Sequence, residues 1–209
     1  MRKSFSHLNI LQKRLSGIEE AKGFFKSLFG SYKYLEINLP YYDYIRATIF
    51  VQDLRDNFGE EVPYQFNEAV LLWILYDDFL NQIKKGAKNE QIAKYLKLGK
   101  AKYFQEKIKQ KRVLKPLNSN TFHFENEEEI MDYTDAQEEK MASIIIRMRE
   151  TEILRGEVLL YDLFSNEEFD MTVEEIIVIV FLDFFQQIKN DGSSLKVQKS
   201  ILSHIKRCS

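Results

Sequence analysis

The residue types that do chemistry are few in this chain and poorly spaced for it. Its three histidines, His7, His123 and His204, stand far apart, and no HExxH or Glu-x-x-His spacing puts a carboxylate on the same helix face. A zinc or di-iron ligand set is therefore missing. The one cysteine, Cys208, can neither close a disulfide within the chain nor build a thiolate metal site. No glycine-rich phosphate cradle and no GxSxG elbow occurs. Ser193-Ser194-Leu195-Lys196 has the Ser-x-x-Lys spacing of an acylating serine but lacks its companion motifs, and a helix cap accounts for it. Asp77, Asp78 and Asp183 fall where very apolar helices turn polar. An acid/base role there competes with the simpler one of a solvent-facing helix end or a pair with a neighbouring arginine. The expectation is a protein that is not an enzyme and needs no cofactor or metal.

What the chain does concentrate is positive charge. Its 30 Lys+Arg and 32 Asp+Glu leave a net charge of −2, yet residues 1–120 carry 21 basic and 13 acidic residues while 121–209 carry 9 and 19. Between Lys84 and Lys115 there are twelve basic residues and two acids, Glu90 and Glu106. The tract ENEEEIMDYTDAQEE (125–139) follows, able to neutralise that surface in cis or to act as a solvated linker.

Within the basic run, NEQIAKYLKLGKAKYFQEKIKQKR (89–112) places Ile92 and Ala93 in a first helix, Leu96 and Leu98 around a turn, Gly99 within it, and Ala101, Phe104 and Ile108 as the inward stripe of a second helix. The order IAxxLxLG resembles the helix-turn-helix families of bacterial and phage regulators. That resemblance implies a recognition helix over 100–112 with Lys102, Gln105, Lys109 and Arg112 outward and Lys100 at its start. Lys97, Lys100, Lys102 and Lys109 would hold phosphates, while Gln105 and Arg112 could reach base edges.

The elements that must position these residues are mostly helical, because three prolines and eight glycines punctuate a chain rich in Leu, Ile, Lys, Glu and Gln. The expected fold class is all-α: a helical bundle with a helix-turn-helix segment and one small β-hairpin, a wing, over VLKPLNSNTFHFEN (113–126). SYKYLEINLP before Tyr41 looks extended. Helices are expected over 41–58 and 64–86, over about 135–164, and from a Thr172–Glu175 capping box to Asp191-Gly192, with a last one to the C-terminus. The corresponding division is an N-terminal helical segment 1–40, a basic helix-turn-helix-bearing module 41–124, an acidic linker or helix start 125–139 and an acidic C-terminal helical module 140–209.

Parts of the chain echo one another. RATIFVQDL (46–54) lines up with RGEVLLYDL (155–163) at an offset of 109, and DFLNQIK (78–84) with DFFQQIK (183–189) at 105. A duplicated three-helix unit would give this pattern.

The functional expectation is a DNA-binding protein, a small bacterial or phage regulator or replication accessory factor, using the lysine-rich helix. The C-terminal helices would offer a face for a protein partner or a homodimer, and the alternative is an inhibitor or adaptor that grips a partner protein through its helical scaffold. The longest apolar runs, 69–76 and 176–182, are too short to span a bilayer, and residues 1–14 lack a signal-peptide core, so no membrane partner and a cytoplasmic location are expected.

Overall fold

A computed structural model describes residues 32–104, 108–118, 121–130, 140–165, 167, 169–192 and 195–208. Strand β1 (Tyr32–Pro40) alternates: Leu35, Ile37 and Leu39 are buried, while Tyr34, Glu36 and Asn38 point out. Pro40 ends it, since proline brings no N–H to a ladder. Helix α1 (Tyr41–Phe58) starts on the next residue, with Asp43 in its first turn, and stops at Gly59, whose φ of 51° suits glycine. After a short 3-10 turn (Gly59–Glu61), Asn67 caps α2 (Glu68–Lys84) by accepting from the Val70 N–H at 3.0 Å. Helix α3 spans Asn89–Phe104.

A hairpin follows, β2 (Ile108–Asn118) against β3 (Thr121–Ile130). The register slips between Pro116 and Asn118, where the proline cannot donate to the ladder. Strand β4 (Met141–Arg149) leads without a loop into α4 (Glu150–Phe164). Helix α5 (Val173–Asp191) opens on the Thr172–Glu175 capping box and ends at Gly192, φ 78°, before α6 (Leu195–Cys208).

The fold is mostly helical, as its composition implies, with β1 and β4 paired antiparallel far from each other in sequence. The long helix expected over 135–164 is corrected: residues 141–149 are a strand. Ile144, Ile146 and Met148 are buried and alternate with outward Ser143, Ile145 and Arg147. The outward Ile145 turns the stretch into an unbroken apolar run, which hides the period of two.

Strand, helix, helix, helix occurs twice. β1 and β4 begin 109 residues apart, as do α1 and α4, whereas α2 and α5 begin 105 apart. Matched positions are buried alike: Leu35, Ile37 and Leu39 correspond to Ile144, Ile146 and Met148, and Leu71, Leu72 and Ile74 to Ile176, Ile177 and Ile179. The two halves interleave. α2 packs on α5, α2 lies under β4 while α5 lies under β1, and α3 packs on α5 while α6 packs on α2. One apolar core, from Leu35 through Leu54, Leu72 and Ile146 to Phe185 and Ile205, runs through both.

Candidate nucleic-acid interface

Helix α3 runs straight through Gly99, so the turn expected there and the second helix over 100–112 are not formed as such. The reason lies in the buried stripe. Ile92, Leu96 and Gly99 continue one helical face, and a Cβ on Gly99 would stand 2.5 Å from Ile179 Cγ2. Glycine serves close packing of α3 on α5 rather than a turn. Ala101 and Phe104, expected inward, are exposed, as is Leu98, expected beside the turn.

The basic residues are correspondingly placed. Lys97 pairs with Glu167 at 2.5 Å; Lys100 meets Glu175 at 3.5 Å and the Asp170 carbonyl; Lys102 meets Asp183 at 3.2 Å. All three acceptor carboxylates belong to the second half of the chain, so these cations tie the halves together. Gln105 lies outside the described residues. Lys109 and Arg112 sit on β2, in a strand and not a helix, at register positions opposite Glu129 and Asn126, with Lys111 opposite Glu127. The basic strand therefore runs alongside the acidic one.

The β1–β4 ribbon has no local signature in the sequence, because its strands lie more than a hundred residues apart and neither is rich in charge. Pairing is continuous from Tyr32–Arg149 to Pro40–Met141, with Glu36 opposite Ile145 at the centre. Its inner face sits on the core. Its outer face presents Tyr32, Tyr34, Glu36 and Asn38 from one strand and Met141, Ser143, Ile145, Arg147 and Arg149 from the other. Two guanidinium groups stand there against one carboxylate. Arg147 lies over the Tyr32 ring, 3.9 Å from its centroid, and a hydrogen bond with Tyr32 raises the Arg149 pKa. Ser143 Oγ donates to Glu36 Oε1 at 3.0 Å.

A second cluster joins the halves. His204, 3 % exposed, has Nδ1 2.8 Å from Asp78 and Nε2 3.3 Å from Asp77, with Trp73 edge-on. At the matched place Asp183 accepts from Tyr103 Oη at 2.5 Å. Burial, then that bond, raises the Tyr103 pKa. Asp77 and Asp78 thus face His204 of α6, and Asp183 takes Lys102 and Tyr103 of α3. Between these contacts is a cleft of about 560 Å³ lined by Asp78, Phe79 and Gln82 and by their matches Asp183, Phe184 and Gln187.

Among the described residues no group of three or more His, Cys, Asp or Glu is placed to hold a metal ion, and no helix is long and apolar enough to cross a membrane. No family model, curated protein or solved structure matches the chain.

Proposed function

We propose that this is a non-enzymatic DNA-binding protein that lays the outer face of the β1–β4 ribbon in the major groove, and that its two halves derive from one duplicated strand-helix-helix-helix unit. The observation that carries the reading is an exposed antiparallel ribbon whose register centres on positions 109 residues apart, fixed on a helical core. Two strands separated by about 4.8 Å make a ribbon narrow enough for a groove about 12 Å wide. Side chains that alternate outward reach base edges, while the buried alternates keep the ribbon rigid. Asn38 and Arg147 are outward groups that can donate to base edges, and Arg149 can neutralise phosphate.

Lys97, Lys100 and Lys102 of α3 take a structural role in this reading, since Glu167, Glu175 and Asp183 hold them. Exposure of Tyr34 and Ile145, each 65 %, favours a second occupant for the same face, an apolar strip on a partner protein. Fluorescence anisotropy of a labelled random-sequence duplex at several salt concentrations separates the two. DNA binding predicts that log K falls with log salt at about −0.9 per phosphate contacted, that unlabelled duplex competes, and that Arg147→Ala with Arg149→Ala abolishes the signal. No binding at low salt refutes it in favour of the protein partner.

A further inference from the structure

Resting on the ribbon reading, we infer that the chain recognises a duplex without dyad symmetry, with Arg147 reading one half-site and Asn38 the other. A ribbon made by two identical strands about a two-fold axis shows every outward residue twice, so the sequence it selects is palindromic. This ribbon has the register of such an axis but not the residues. Glu36 and Ile145 lie opposite each other and are 109 apart, so they mark the centre. The outward positions related about that centre hold Tyr34 and Ser143 in one case and Asn38 and Arg147 in the other.

Asn38 lies opposite Ser143 and Arg147 opposite Tyr34, which puts Asn38 and Arg147 on opposite sides of the centre. Each is two residues away from it, roughly 6.6 Å at the rise of a strand. At about 3.4 Å per nucleotide step that is two base pairs to either side. Their chemistries differ: a guanidinium fork suits guanine O6 and N7, whereas a carboxamide suits adenine N6 and N7. The Arg147 guanidinium carbon stands 3.9 Å from the centre of the Tyr32 ring, a cation–π contact that uses none of its N–H donors as hydrogen bonds.

The test is selection of bound duplexes from a randomised pool by the whole chain, by Arg147→Ala and by Asn38→Arg, with thermal melts to show that all three are folded. The inference predicts a wild-type motif with no dyad, carrying guanine in one half and adenine in the other about four base pairs apart. Arg147→Ala should lose the guanine preference, about tenfold in relative affinity, and leave the other half unchanged. Asn38→Arg should convert adenine to guanine and make the motif symmetric. A palindromic wild-type motif, no motif at all, or an Arg147→Ala variant that relaxes both halves equally overturns the inference while DNA binding stands. Failure of every protein to retain any duplex overturns the ribbon reading itself.

Discussion

Glu36 lies opposite Ile145 across the ribbon, and the two are 109 residues apart, the spacing that also separates Arg46 from Arg155. One offset thus relates a strand pairing to a helix alignment. A chain that folds this way puts its two halves into a single core, and several consequences can be measured.

Neither half should fold alone. α3 covers α5 and α6 covers α2, so residues 32–104 or 140–208 by themselves expose faces that the other half buries. Separately produced halves should show little helical circular dichroism, and mixing them should restore it. A fully helical, cooperatively melting half would contradict the interleaved core.

Gly99 and Gly156 should resist even alanine. A Cβ at Gly99 meets Ile179 at 2.5 Å, and one at Gly156 meets the Tyr76 hydroxyl and stands 2.9 Å from Val173 Cγ2. Each Gly→Ala change should cost about 1–3 kcal/mol by overpacking, although alanine at an open helix site would gain about 1 kcal/mol. Denaturant melts give the sign, and Ile179→Ala should relieve part of the Gly99→Ala loss.

Those two glycines also show where the sequence was and was not legible. Caps and stops were readable locally: Thr172 with Glu175 opens α5, and Gly192 closes it. Gly99 reads as a turn in the sequence because its reason for being glycine sits on Ile179, eighty residues on. Likewise β4 reads as helix because Ile145 interrupts the alternation, and its pairing with β1 is not a local property. The basic run was visible as composition, but Glu167, Glu175 and Asp183 are its partners only in three dimensions.

His204→Ala should destabilise the protein by about 2–4 kcal/mol, since it removes packing beside Trp73 and leaves two adjacent carboxylates without their shared partner. A double-mutant cycle with Asp78→Asn should return a coupling of at least about 1 kcal/mol. Additive losses would mean that the contact contributes only volume.

Lys97, Lys100 and Lys102 changed together to Ala should leave duplex affinity within about twofold. Each of these partly exposed pairs should contribute under about 1 kcal/mol of stability. Anisotropy and urea melts on the same triple variant read both quantities.

The most direct measurement is a two-dimensional amide NMR titration of the whole chain with a short duplex. The ribbon account predicts that the amides of residues 32–40 and 141–149 shift first and furthest, while those of 94–104 move little. Shifts concentrated on Lys97, Lys100 and Lys102, with a silent ribbon, would contradict it.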